Sequence, residues 1–159
     1  MKQSVKTWIT FGITSGIITT LWLIVGLGSG SHMKSVVIWG ILTIAVADAF
    51  SDAMGIFVSE ESDKKNKRKD IWNAWLATFC AKFVVALSFL IPFLFFPILP
   101  ATIISMIRWL WGLRGLSYKI AEIHQQKKSH VILEHIIVGV IVICITYFVG
   151  VWISHIFGS

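Results

Sequence analysis

Five long apolar segments, joined by short polar ones, constrain what this chain can fold into. An α-helix needs about 20 apolar residues to cross a bilayer, and each segment is long enough, although the fourth is short. Hydrophobic residues make up 56% of the chain and charged residues only 14%, which excludes a soluble globular domain. We therefore predict an all-α integral membrane protein, with residues 1–159 forming a single transmembrane domain of five helices in one bundle. The predicted spans are residues 8–27, 36–58, 72–96, 101–116 and 136–157.

The basic residues predict how this bundle is oriented in the membrane. They concentrate at one end of the predicted helices, whereas the other end carries only Lys34. The residues at the basic end are Lys2, Lys6, Lys64, Lys65, Lys67, Arg68, Lys69, Arg114, Lys119, Lys127 and Lys128. Because cytoplasmic segments carry the excess of lysine and arginine, we predict a cytoplasmic N-terminus and a C-terminus outside. The first span is too long for the apolar region of a cleaved signal peptide, so we expect it to remain as a helix.

The formal net charge of +6 does not indicate a nucleic-acid partner. The basic residues flank apolar spans, where they anchor the helices and contact anionic lipid headgroups. The lipid bilayer is therefore the partner that this charge predicts. We expect a multi-pass protein, which in a prokaryote would lie in the inner (cell) membrane.

Two aspartates interrupt the second span. Asp48 and Asp52 lie four residues apart in an otherwise apolar stretch. Ionisable groups at bilayer depth are costly, so they indicate a functional site. Together with Ser51, Gly55 and Ser59 they form one polar stripe of a helix, which must face protein or water rather than lipid. One helical turn separates the two carboxylates by about 6 Å, so they could share a divalent ion or relay a proton.

Further oxygen atoms lie near this pair in the predicted bundle. Glu60 and Glu61 follow at the cytoplasmic mouth, where they could gather hard cations or simply form a solvated helix end. Ser15 and Thr19 in the first span offer hydroxyl groups to the same path. The candidate metal ligands are thus Asp48, Asp52, Glu60 and Glu61. The candidate residues of the ion pathway are Ser15, Thr19, Ser51 and Ser59.

Two basic residues inside predicted spans offer a structural alternative for the aspartates. Lys82 in the third span lies about 12 to 15 Å from the cytoplasmic end, at the depth of Asp52, and Arg108 lies in the fourth span. An internal ion pair would offset the cost of burying the carboxylates without any transport. The two roles are compatible, because a lysine that neutralises the empty site can be displaced by an arriving cation.

The first span carries two glycines four residues apart, Gly12 and Gly16. Small residues at this spacing allow a second helix to approach closely. They predict either packing within the chain or a homodimer interface.

Several segments resemble the vacuolar iron transporter family. Residues 11–21 (FGITSGIITTL) and 47–61 (ADAFSDAMGIFVSEE) are similar to its first two helices. Residues 90–93 (LIPF) and 145–150 (ITYFVG) are similar to its third and fifth helices. The resemblance implies a five-helix homodimer that exports ferrous or similar divalent ions, such as manganese, from the cytosol in exchange for protons. It implies a path between the first helices of the two subunits and no tightly bound cofactor.

The chain departs from the family pattern at the ion site. The family has an acid where this chain has Ser15, a methionine at Asp52, a glycine at Asp48 and a glutamate at Ile56. The helical metal-binding insert of many members is replaced by a short basic loop. We therefore expect a divergent member whose acids have moved from the first helix to the second. Replacing a sulfur ligand by a carboxylate favours harder ions such as manganese or magnesium, while iron remains an option.

An enzyme is the less favoured function. An Asp-x-x-x-Asp pair also ends the metal motif of CDP-alcohol phosphatidyltransferases. That motif requires an upstream Asp-x-x-Asp-Gly-x-x-Ala-Arg segment, which is missing before Asp48. We therefore predict a transporter rather than an enzyme, with a non-transporting membrane protein as the other alternative.

Overall fold

The helices of this protein extend well beyond the apolar segments that predict them. The structure is a computed structural model, and it describes residues 3–123 and 128–157. Within these residues all regular elements are helices, which confirms the all-α prediction. Lys2 and Lys127, used above for the orientation, lie outside the described residues. The elements are α1 (Gln3–Ser31), α2 (Lys34–Ser62), α3 (Arg68–Ser88), α4 (Leu90–Phe95), α5 (Ile98–Ile123) and α6 (Lys128–Phe157).

Four helical segments of the described residues are long and apolar enough to cross a membrane. They are Val5–Ser31, Lys34–Ser62, Arg68–Phe95 and Ile132–Phe157, and they correspond to the first, second, third and fifth predicted spans. The fourth predicted span lies inside α5, where Arg108 and Arg114 interrupt the apolar composition. The chain is thus a multi-pass membrane protein by length and composition, whereas the fifth span and the orientation of the termini stay predictions.

The connection between α1 and α2 is a tight reversal. Only His32 and Met33 lie between the two helices, although the composition predicted a break from Gly28 onward. Nothing in that stretch prevents a helix, because it contains no proline and glycine is tolerated there at a modest cost. The turn is made at His32, whose φ of 52° lies in the left-handed region that non-glycine residues rarely adopt. The short connection makes α1 and α2 antiparallel neighbours.

The first helix occupies the centre of the bundle. It packs against α2, α3, α5 and α6. The core around it is apolar, and Leu21, Ile24, Ile41 and Phe93 are fully buried. Polar side chains on the packed faces of α1 therefore face another helix of the same chain rather than lipid, which is the condition for building a polar site within the bundle.

The third predicted span is broken into two helices. Phe89 separates α3 from α4, three residues before Pro92. Proline has no amide hydrogen, so the carbonyl oxygen of Ser88, four residues earlier, loses its usual helical donor. The helix is thus interrupted at the single residue Phe89, whose backbone stays in the right-handed helical region, and Pro92 leaves an acceptor that needs another partner.

Candidate functional site

The aspartates of α2 face two hydroxyl groups of α1. Ser15 Oγ donates a hydrogen bond to Asp52 Oδ2 at 2.7 Å, and Thr19 Oγ1 donates to Asp48 Oδ2 at 2.8 Å. One turn along α1 thus matches one turn along α2 in the opposite direction, as antiparallel helices require. The predicted polar stripe and the predicted hydroxyl groups therefore meet in one place.

Lys82 of α3 contacts both aspartates and Ser15. Its Nζ lies 2.6 Å from Asp48 Oδ2 and 2.9 Å from Ser15 Oγ, and it also contacts Asp52 Oδ2. The ammonium group donates hydrogen bonds to Ser15 Oγ and Asp52 Oδ2 and forms an ion pair with Asp48. We call Ser15, Thr19, Asp48, Asp52 and Lys82 the Asp–Lys cluster.

The Asp–Lys cluster is unevenly buried. The Lys82 side chain is 2% exposed, whereas those of Asp48 and Asp52 are 26% and 24% exposed. Asp48 lies at the midpoint of α2, 14 residues from Lys34 and 14 from Ser62. With two carboxylates and one ammonium ionised, the cluster carries one net negative charge. The carboxylates thus remain accessible to a small cation in the middle of a helix long enough to span a bilayer.

The other predicted ligands lie apart from the Asp–Lys cluster. Glu60 is two turns further along α2, about 12 Å from Asp52. Its Oε2 accepts a hydrogen bond at 2.9 Å from Nδ2 of Asn66, which ties the end of α2 to the following loop. Glu61 is exposed, and so are Ser51 and Ser59. The structure therefore brings together two of the four predicted metal ligands and two of the four predicted pathway residues.

The Asp–Lys cluster supplies only part of a metal coordination sphere. No group of three or more His, Cys, Asp or Glu side chains that could hold a metal ion occurs among the described residues. Asp48 and Asp52 offer carboxylate oxygens, and Ser15 and Thr19 add hydroxyl oxygens. Hard cations such as Mg²⁺ and Mn²⁺ accept this ligand type and keep several waters, so a partly hydrated divalent ion fits these residues.

Gly12 and Gly16 pack α1 against α3 of the same chain. A Cβ atom at Gly12 would lie 2.7 Å from the carbonyl oxygen of Thr78, and one at Gly16 would lie 3.2 Å from that of Lys82. Both glycines are buried. Of the two uses predicted for these glycines, the structure therefore shows packing within the chain. The homodimer interface is corrected, because α3 already occupies their surface. This close approach brings the backbone of Lys82 next to α1.

Arg108 does not contact the aspartates. Its Nη1 donates to the carbonyl oxygen of Ser88 at 2.7 Å, and its Nη2 donates to Ser88 Oγ at 2.9 Å. The guanidinium carbon also lies 4.9 Å from the centre of the Phe89 ring. Arg108 thus satisfies the carbonyl that Pro92 leaves without a helical donor, and its predicted role as a charge partner of the aspartates is corrected. The prediction relied on the depth of Arg108 along its helix and therefore missed this role. The signal in the sequence was Pro92, four residues after Ser88, which leaves the Ser88 carbonyl without a helical donor.

This contact predicts coupling between Arg108 and Pro92. We expect Arg108→Leu to lower the free energy of unfolding by about 1 kcal/mol, because the Ser88 carbonyl loses its donor. In a Pro92→Ala background the cost should shrink, since the new amide hydrogen can donate to the same carbonyl. A double-mutant cycle of thermal unfolding in detergent measures the coupling. Equal costs of Arg108→Leu in both backgrounds would contradict this assignment.

Position 15 relates this geometry to the family pattern. The resemblance places an acid there, and in this chain Ser15 instead donates to Asp52 at 2.7 Å. The carboxylate of Asp52 therefore reaches across from α2 to the position where an acid on α1 would lie.

Comparison with known proteins gives a family match for the first part of the chain. The model of the VIT family matches residues 7–74, which cover most of α1, all of α2 and the start of α3. The matched range contains Ser15, Thr19, Asp48 and Asp52. No curated protein matches the chain. The family consists of membrane metal ion transporters rather than enzymes. The predicted resemblance to the vacuolar iron transporter family is thus confirmed over residues 7–74, the range that the family model matches.

Proposed function

We propose that this protein exports a divalent metal ion, iron or manganese, from the cytosol in exchange for protons, and that Asp48 and Asp52 hold the ion. The main support is the position of the two carboxylates at the middle of α2, each about a quarter exposed, inside the range that matches the family. Paired carboxylates at bilayer depth are typical of ion and proton pathways.

The residues of the Asp–Lys cluster have distinct tasks in this proposal. A partly hydrated cation passes Glu60 and Glu61 and binds between Asp48 and Asp52, with oxygens of Ser15 and Thr19 completing its coordination. Protonation of the carboxylates from the outer side then releases the ion, because a protonated carboxyl group is a poor cation ligand. The carboxylates that bind the metal thus also carry the protons, which couples the two fluxes in opposite directions.

A homodimer stays part of the proposal, on a surface other than Gly12 and Gly16. The face of α2 beside the aspartates carries Ser51 and Gly55, both exposed, and a Cβ atom at Gly55 would meet no atom within 4 Å. Small residues allow close helix packing in membranes. A second subunit against this face would shield the aspartates from lipid.

The test is proton flux in proteoliposomes that contain a pH-sensitive dye. Adding Mn²⁺ or Fe²⁺ should drive proton movement through the wild-type protein, and Asp48→Asn together with Asp52→Asn should reduce that flux to the level of empty liposomes. Asp63→Asn is the matched control, because it makes the same change at an exposed loop position. Unchanged flux in the double variant would show that the aspartates are not the coupling site.

A second candidate is a membrane protein in which the Asp–Lys cluster has a purely structural role. The observation that favours it is the position of the Lys82 ammonium group, which forms ion pairs with both aspartates and a hydrogen bond with Ser15. In that case the wild-type protein should show no metal-driven proton flux, and the aspartate variants should change only its stability. The same liposomes and a thermal unfolding measurement therefore distinguish the two candidates.

A further inference from the structure

We propose that Lys82 makes this site selective for divalent over monovalent cations, because its ammonium group is a monovalent cation attached to the protein. This inference rests on the proposed function, since it concerns the ion that Asp48 and Asp52 accept. Nothing in the family pattern requires it. It follows from where the Lys82 Nζ lies.

The ammonium group occupies the place that a cargo ion would take. Its Nζ contacts one oxygen of each aspartate and lies 2.9 Å from Ser15 Oγ. These are the same oxygens that would coordinate a metal between α1 and α2. A cation that binds both carboxylates must therefore displace the ammonium group along its flexible four-carbon chain.

The charges decide which cations can do so. A sodium or potassium ion brings the same single charge as the ammonium group, so it gains no Coulomb energy by the exchange. The sodium or potassium ion also competes with the Lys82 ammonium group, which is attached to the protein and already in position. Binding of the ammonium group to the carboxylates therefore costs little entropy. A divalent ion brings one additional charge and neutralises the two carboxylates completely. Monovalent ions are thus excluded while divalent ions are admitted.

Burial strengthens this discrimination. Lys82 is 2% exposed, and Gly12 and Gly16 hold its helix directly against α1. The ammonium group is therefore kept away from bulk water. In bulk water the charge difference between a monovalent and a divalent ion would have only a weak effect on which ion binds. The close packing of α1 and α3 has a functional consequence under this inference, since it keeps the ammonium group at the site.

The test compares ion binding to purified protein in detergent, read out as the shift of the thermal midpoint with MnCl₂ or NaCl. Choline chloride, whose cation is too large for the site, keeps the ionic strength constant. Mn²⁺ should raise the midpoint of the wild-type protein, and Na⁺ should have no effect beyond that of choline. In Lys82→Gln we expect Mn²⁺ to bind at least about tenfold more tightly, since its competitor is gone, and Na⁺ to raise the midpoint as well.

Two further variants separate the effect of a cation attached at position 82 from the effect of the net charge of the Asp–Lys cluster. Lys82→Arg keeps a cation at the end of the side chain and should remain insensitive to Na⁺. Lys82→Gln combined with Asp48→Asn restores the net charge of the wild-type cluster without an attached cation. It should respond to Na⁺, and it provides the measurement if Lys82→Gln alone does not fold.

The outcomes also separate this inference from the proposed function. If Na⁺ stabilises neither Lys82→Gln nor the double variant, Lys82 is not what excludes monovalent ions. If Mn²⁺ does not stabilise the wild-type protein, the divalent site itself is contradicted. A response of the Lys82 variants to Na⁺ in the latter case would still show that the lysine occupies a cation site.

Discussion

Lys82→Met is expected to lower the free energy of unfolding by about 3–5 kcal/mol, which is the usual cost of removing one partner from a buried ion pair. Methionine has a similar length and fills the apolar part of the space. It leaves Asp48 and Asp52 one helical turn apart with no positive charge between them. Because both carboxylates are about a quarter exposed, we expect a loss toward the lower value. Thermal unfolding in detergent, followed by circular dichroism, measures it.

Two variants control this prediction. Val84→Met introduces the same side chain on the same helix at a residue that is 63% exposed, and it should stay within about 0.5 kcal/mol of the wild type. Lys82→Met combined with Asp48→Asn and Asp52→Asn should recover most of the lost stability, because the uncompensated charges are gone. If Lys82→Met melts like Val84→Met, the Asp–Lys cluster does not hold the three helices together.

The centre of the site could be predicted from the sequence because helical periodicity fixes which residues share a face. Asp48 and Asp52 are one turn apart on α2, and Ser15 and Thr19 are one turn apart on α1, so any antiparallel pairing that joins one pair joins the other. The depth of Lys82 along its helix follows from the rise per residue. These rules need no knowledge of the neighbouring helix.

The partners of the small residues could not be predicted in the same way. Gly12 and Gly16 allow close approach by any helix, and the sequence does not tell whether that helix belongs to the same chain. The partner predicted for Arg108 was wrong for a related reason. Its depth suggested an aspartate partner, but its donors satisfy the nearest free acceptor, which exists only because Pro92 breaks the neighbouring helix.

The fourth predicted span shows the limit of composition. The segment is helical as predicted, and α5 continues to Ile123, well past the apolar residues. Arg108 and Arg114 place two charges within its apolar stretch, and both side chains are exposed. A helix of this kind crosses a membrane only if its arginines find polar partners, as Arg108 does at Ser88.

The second large effect is expected at Gly150, where α6 approaches α1. A Cβ atom there would overlap the carbonyl oxygen of Gly26 and Oγ of Ser29, and it would lie 3.1 Å from the amide nitrogen of Gly30. Ser29 Oγ also donates to the carbonyl oxygen of Tyr147 at 3.1 Å, which holds the two helices at this spacing. Gly150→Ala should therefore lower the free energy of unfolding by about 1–3 kcal/mol or more, because backbone atoms cannot move aside.

Gly115→Ala is the matched control, because it makes the same substitution on α5, where a Cβ atom would meet nothing within 4 Å. Alanine is the better helix former by up to about 1 kcal/mol, so this variant should unfold at the wild-type temperature or above it. Since both variants gain the same propensity, the difference between their thermal midpoints measures the close contact of α1 and α6 alone. Ser29→Gly should rescue Gly150→Ala only in part, because the carbonyl oxygen of Gly26 stays in place. If Gly150→Ala unfolds at the temperature of Gly115→Ala, α6 lies further from α1 than these contacts require.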